Sequence, residues 1–115
     1  MKTSELTGVA LDWAVTKCEG YNHEFTPGNV WGKWGWTTDW GQGGPIIERE
    51  GMQLQMEDIG EWHATIWWDD EDGQREIVTR GPTPLIAAMR CYVASKLGDE
   101  VEIPDQIGAS HELVD

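Results

Sequence analysis

The sequence predicts a single α+β domain in which two helices pack on one face of a small antiparallel sheet. Helical patterns of apolar residues lie near the two ends of the chain, and three short segments with alternating apolar and polar residues lie between them. At 115 residues the chain has room for one modest core, and its composition shows no break. We therefore expect one domain over residues 1–103 and an acidic C-terminal tail over residues 104–115.

The two helical patterns differ in how clearly their ends are marked. The first helix is expected over residues 7–19, where small and aliphatic residues recur at helical spacing and Gly20 follows as a stop. The last helix is the clearest element of the chain. Thr83 is suited to cap it, Pro84 fits its first turn, and an apolar stripe continues to Leu97, directly before a glycine.

Three strands are expected between these helices. Residues 52–56 alternate apolar and polar side chains, and residues 62–68 alternate with aromatic groups on both faces. Residues 70–73 form a turn, and residues 76–79 return as the third strand. We expect the core to take the face of the second strand that holds Trp62. The other face then exposes Trp67 on an open sheet, where a partner or a second copy of the chain can bind.

A long segment rich in glycine and tryptophan separates the first helix from the first strand. Residues 21–30 carry turn formers without periodicity, so we expect a loop that continues into the tryptophan-rich residues 31–50. Residues 38–45 are expected to remain a loop because they contain three glycines before Pro45. Residues 45–50 form either a short helix or a strand, and the sequence leaves both alternatives open.

The same segment supplies the candidate binding site. Trp40 offers a flat aromatic face among hydrogen-bonding side chains, and Arg80 precedes the last helix, where the helix dipole favours an anion. A flat face beside an anion site is what a nucleotide requires. The alternatives are that the tryptophans fill the core and that the arginines pair with acidic side chains. The candidate ligand-binding residues are Thr38, Asp39, Trp40, Gln42, Gly43, Arg49, Arg80 and Thr83.

The charge of the chain narrows the choice of partners. Twenty-one acidic residues against 8 basic ones give a net charge of −13, which repels phosphate backbones and excludes double-stranded nucleic acid as a partner. The negative charge is compatible with plain solubility, which is its commonest role, with docking on a basic host protein, or with imitation of DNA. Residues 69–72 and 99–105 are the candidate acidic patches. An acidic protein-interaction module is therefore the alternative to a nucleotide-binding protein.

The remaining residues give no sign of catalysis, metal binding or export. The 3 histidines and 2 cysteines lack zinc-site spacing, so we expect neither a metal nor a cofactor. Cys18 and Cys91 lie within helical patterns, which predicts buried, reduced thiols rather than a disulfide or a nucleophile. No apolar run approaches a membrane span, and the N-terminus lacks a signal-peptide core. We expect a non-enzymatic protein of the cytoplasm that does not engage a membrane.

Three stretches carry a resemblance to a known family. They are SELTGVALDWAVTKCEG at residues 4–20, TDWGQGGPIIERE at residues 38–50 and GPTPLIAAMRCYVASKLGDEVEIP at residues 81–104. In these motifs the chain resembles the NinX-like family of small proteins of temperate tailed phages and their prophages. The resemblance covers nearly the full length and is weakest over residues 21–37. It implies a phage accessory protein in the bacterial cytoplasm, where a nucleotide-binding protein is expected to sequester a nucleotide signal of host defence. It transfers no catalytic residues.

Overall fold

The structure is a computed structural model that describes residues 2–20 and 35–103. After a 3-10 turn at Thr3–Glu5, the elements are α1 (Gly8–Cys18), α2 (Trp40–Glu50), β1 (Gln53–Asp58), β2 (Glu61–Asp70), β3 (Gly73–Gly81) and α3 (Pro84–Leu97). The predicted α+β class is confirmed, with an N-terminal helix, a three-stranded antiparallel sheet and a C-terminal helix packed against it. The loop predicted over residues 21–30 and the tail predicted over residues 104–115 lie outside the described residues, and the single-domain organisation stays a prediction.

The sheet follows the chain order β1–β2–β3, and both neighbouring pairs are antiparallel. Ala64 and Ile66 on β2 are buried, and their respective cross-strand neighbours Leu54 and Ile77 pack against the same core. Because side chains alternate along a strand, Trp67 lies on the opposite face, where it is 39% exposed. The sequence-based assignment of the two faces is therefore confirmed.

Helix α3 lies at the centre of the core. Its cap is the predicted one, since the Thr83 hydroxyl oxygen accepts a hydrogen bond from the Ile86 N–H at 3.1 Å and Pro84 occupies the first turn. The helix contacts β2 and β3 on one side and also packs against α1 and α2. Eight of its residues are buried, namely Leu85, Ala87, Ala88, Met89, Cys91, Tyr92, Val93 and Ala94.

Helix α2 is a correction to the sequence-based expectation. Residues 38–45 were expected to form a loop, but the helix begins at Trp40 and contains Pro45. The Asp39 side chain caps it by accepting a hydrogen bond from the Gly41 N–H at 2.8 Å. Tertiary packing of α2, in which Ile46 is buried and Ile47 is partly buried against the core, offsets the weak helix propensity of the glycines and the hydrogen bond lost at the proline. Of the two alternatives for residues 45–50, the helix is right and the strand is wrong.

Gly43 is needed for packing and not for a turn. A Cβ atom at this position would collide with the carbonyl oxygen of Trp36 and would lie 2.7 Å from the Leu85 Cδ2 atom. Helix α2 therefore approaches both the turn before it and the start of α3 more closely than any larger residue permits. Glycine at this place fixes the distance between α2 and α3.

Replacing Gly43 by alanine should destabilise the domain. Overpacking costs ~1–3 kcal/mol, which exceeds the ~1 kcal/mol by which alanine favours a helix over glycine. Gly44→Ala is the matched control, because a Cβ atom at Gly44 would lie 3.9 Å from the Trp40 Cε3 atom, which is an ordinary contact distance. Urea unfolding should show a lower midpoint for Gly43→Ala and an equal or higher one for Gly44→Ala. An equal rise of the urea midpoint in both variants would contradict the close approach of α2 to Trp36 and Leu85.

Candidate functional site

A groove of about 330 Å³ opens where the N-terminal ends of α2 and α3 lie side by side. We call it the α2–α3 groove. Trp40 forms part of its wall and is 52% exposed, so the face of its indole ring is accessible to a ligand. The surface of the groove is mainly apolar, and threonine hydroxyls supply its polar groups. It is lined by Thr37, Thr38, Trp40, Thr83, Pro84, Leu85 and Ile86.

Six of the eight predicted residues lie in this groove or next to it. Thr38, Trp40 and Thr83 line it directly. The other three hold the walls of the groove in place. The Asp39 side chain caps α2, and Gly43 sets the spacing between α2 and α3. The Gln42 side-chain oxygen accepts a hydrogen bond from the Gly35 N–H at 2.7 Å. Each of these three fixes backbone instead of facing the groove.

Arg49 does not reach the groove, because it lies at the opposite end of α2. Its Nη1 and Nη2 atoms donate to the two carboxylate oxygens of Glu19 at 3.1 and 2.7 Å, and Nη2 also donates to the Tyr92 hydroxyl oxygen at 3.1 Å. The hydrogen bond from Arg49 lowers the pKa of Glu19. This bidentate pair ties the end of α1 to α2 and α3.

Arg80 is also outside the groove. It lies on β3 directly opposite His63 of β2, and its Nη1 atom is 3.8 Å from the Glu61 Oε1 atom. None of the described residues that line the groove is a lysine or an arginine. At both Arg49 and Arg80 the structure therefore agrees with the alternative in which the arginine pairs with an acidic side chain.

One wall of the groove depends on contacts that sequence reasoning missed. The Asp12 carboxylate oxygen Oδ1 accepts hydrogen bonds from the Thr37 N–H at 3.1 Å and the Thr37 hydroxyl at 3.0 Å. The Trp36 indole N–H donates to the Thr16 hydroxyl oxygen at 2.9 Å. These bonds hold residues 36–37 against α1. The signal in the sequence was the spacing of Asp12 and Thr16, which lie four positions apart and therefore on the same side of the mostly apolar helix α1.

Cys91 is buried as expected, whereas Cys18 is only partly buried. Both are free, and burial raises the pKa of the Cys91 thiol to about 11 and that of the Cys18 thiol to about 12. The thiols stay protonated near neutral pH and are poor nucleophiles. Within residues 2–20 and 35–103, no cluster of histidine, cysteine and acidic side chains could hold a metal ion. No described helix is long and apolar enough to cross a membrane.

Comparison with known proteins identifies one related family. The family model described as Bacteriophage P22, NinX matches residues 2–96 of this chain. The match includes α1, α2, the whole sheet and nearly all of α3. A search of curated proteins returns no match. The similarity therefore extends over the groove and over the core that supports it.

Asp12 should make the stability of the protein depend on pH. Burial raises its pKa from 3.8 to about 6, although hydrogen bonds from Thr37 act in the opposite direction. Because the folded state holds this proton more tightly than the unfolded chain, the stabilisation is complete below about pH 4 and is lost as pH rises through about 6. Asp12→Asn keeps an acceptor oxygen for Thr37 and removes the buried charge.

We expect the melting temperature of Asp12→Asn to exceed that of the wild type near neutral pH. The difference should shrink or reverse as both proteins are measured at decreasing pH towards about 4. All other titrating groups are common to the two proteins, so the difference isolates Asp12. A difference in melting temperature that stays constant over this whole pH range would contradict the raised pKa of Asp12.

Proposed function

The chain belongs to the bacteriophage P22 NinX family, and from that premise we propose that it is a phage accessory protein that binds a ligand without transforming it. The ligand is of the nucleotide type, and its flat ring occupies the α2–α3 groove. The observation that carries this proposal is the exposed ring of Trp40 beside a mainly apolar groove with threonine hydroxyls. Sequestration of a nucleotide signal used by host defence is the role that we propose for such a protein in a phage.

The chemistry of the groove suits a nucleobase. Stacking of a base on an aromatic side chain contributes ~1–3 kcal/mol. The Thr83 hydroxyl accepts a hydrogen bond from the Ile86 N–H, which leaves its own hydrogen for a ligand acceptor. Thr37 is only 4% exposed, and its hydroxyl donates to Asp12, so this residue shapes the wall of the groove. A hydroxyl donor near an aromatic face matches the edge and the plane of a base.

The size and charge of the groove define which part of a nucleotide it holds. Its volume of about 330 Å³ is at the small end of the ~300–1,000 Å³ typical of ligand pockets, so one nucleoside is a better fit than a dinucleotide. The described lining residues include no basic side chain, and the chain carries a net charge of −13. We therefore propose that the protein recognises the base and leaves the phosphate in solvent.

A second candidate function is protein interaction through acidic surface. The open face of the sheet favours it, since Trp67 is exposed there beside carboxylates. The predicted patch at residues 69–72 is less suited to imitate DNA, because Arg75 pairs with Asp70 at 2.8 Å and with Asp72 at 3.4 Å. The other predicted patch, residues 99–105, extends beyond the described residues. This candidate is a module that binds a basic host protein.

The ligand proposal is tested by calorimetry against a panel of mono-, di- and cyclic nucleotides, nicotinamide-containing nucleotides and the matching nucleosides. We expect one base to bind, and we expect its nucleoside to bind within roughly tenfold of the nucleotide because the groove contributes no ion pair to the phosphate. Failure of every compound to bind would refute the groove as a nucleotide site. A nucleotide that binds while its nucleoside does not would refute recognition of the base.

Trp40→Ala should abolish this binding without unfolding the protein. A surface substitution usually changes stability by less than ~0.5 kcal/mol, whereas truncation of a buried tryptophan such as Trp13, which is 3% exposed, costs ~3–5 kcal/mol. Trp68→Ala is the matched binding control, because Trp68 is 40% exposed and lines a different cavity with Lys96. A large drop in melting temperature for Trp40→Ala, similar to that of Trp13→Ala, would show that Trp40 belongs to the core.

A further inference from the structure

The face of the sheet that points away from the helices carries three directly opposed pairs of side chains. They join β2 to β3 in the order His63 with Arg80, Thr65 with Val78 and Trp67 with Glu76. We call these six residues the outward face. The helices pack on the other side of the sheet, where Ala64 and Ile66 are buried. We propose that the outward face binds an arginine-containing basic segment of a partner protein.

The first argument is the apolar centre of the outward face. Trp67 is 39% exposed and Val78 is 50% exposed, and they lie diagonally across the β2–β3 pair. The Trp67 indole N–H donates to the Glu76 Oε2 atom at 3.0 Å. This bond holds a carboxylate at the edge of an accessible aromatic ring. A guanidinium can stack on such a ring and pair with the carboxylate at the same time.

The second argument is the charge around this centre. The Glu57 Oε1 atom lies 3.6 Å from the His63 Nδ1 atom. The Glu61 Oε1 atom lies 3.8 Å from the His63 Nε2 atom. The Glu61 Oε1 atom also lies 3.8 Å from the Arg80 Nη1 atom. With Glu76, three carboxylates gather at this face against one guanidinium. The local charge is therefore negative and has the same sign as the whole chain.

The negative charge of the outward face indicates which kind of partner can bind there. A second copy of the chain would bring another net charge of −13 to the interface, and an anionic lipid surface would be repelled in the same way. A basic segment is complementary both to the carboxylates and, through arginine, to the Trp67 ring. The inference rests on the second proposed function, protein interaction, and is independent of the α2–α3 groove on the other side of the sheet.

The test is a titration of isotope-labelled protein with a nona-arginine peptide, followed by NMR. We expect the largest shifts at the Trp67 indole N–H and at the amides of Thr65 and Val78. A nona-lysine peptide of equal charge should bind several-fold more weakly, because lysine lacks the planar group that stacks on the ring. Equal affinities for the two peptides, or shifts centred on residues 70–73, would overturn the proposal in favour of unspecific charge attraction.

Two variants with a matched control sharpen this test. Glu76→Gln keeps an acceptor for the Trp67 indole and removes the charge, and Trp67→Leu removes the aromatic ring. Each should weaken nona-arginine binding by roughly two- to fivefold. Asp72→Asn changes the net charge equally at a side chain that is 83% exposed, and it should change the affinity by less than roughly twofold. An equal loss in Asp72→Asn would overturn the proposal.

Two further measurements separate the remaining outcomes. Sedimentation of the wild type without peptide should show a monomer, and a dimer that dissociates in Trp67→Leu would assign the outward face to a second copy instead. Nucleotide binding should be the same in Glu76→Gln as in the wild type. A failure at the outward face is thereby distinguished from a failure of the α2–α3 groove.

Discussion

The absence of a side chain at Gly43 is the constraint on which the rest of this structure depends. It lets α2 lie against the Trp36 carbonyl oxygen and the Leu85 side chain, so that the starts of α2 and α3 become neighbours. Residues 36–37 are then held between α2 and α1, where Asp12 and Thr16 bind them. The α2–α3 groove is the space that these contacts leave. A larger residue would have to move α2 and would thereby change the width of the groove.

The arginine side chains of the protein are used within the fold. All four arginines make hydrogen bonds or ion pairs to other parts of the chain, and the remaining basic residues are four lysines against 21 acidic residues. This distribution explains why recognition of phosphate is a poor fit to the groove. It also explains why the surface that remains for a partner is acidic. The four arginines and their partners are Arg49 with Glu19, Arg75 with Asp70, Arg80 with Glu61, and Arg90 with the Leu6 and Arg80 carbonyl oxygens.

The sequence was informative where periodicity reports burial and was misleading where tertiary packing overrides propensity. The core face of β2, the cap at Thr83 and the exposure of Trp67 follow from local rules, and all three are confirmed. The part of helix α2 before Pro45 was missed because its glycines disfavour a helix, and only the close approach of α2 to Trp36 and Leu85 explains the glycine at position 43. The position of Arg49 outside the groove could not be predicted, because pairing with Glu19, 30 positions away, leaves no local pattern.

The central claim is that a base stacks on Trp40 between the starts of α2 and α3. It is tested most directly by intermolecular nuclear Overhauser effects between the protein and the nucleoside that binds best. The account predicts contacts from the protons of the base to the Trp40 indole ring and to the methyl groups of Ile86, both of which line the groove. Contacts to Trp67 or Trp68 in place of Trp40 would contradict it.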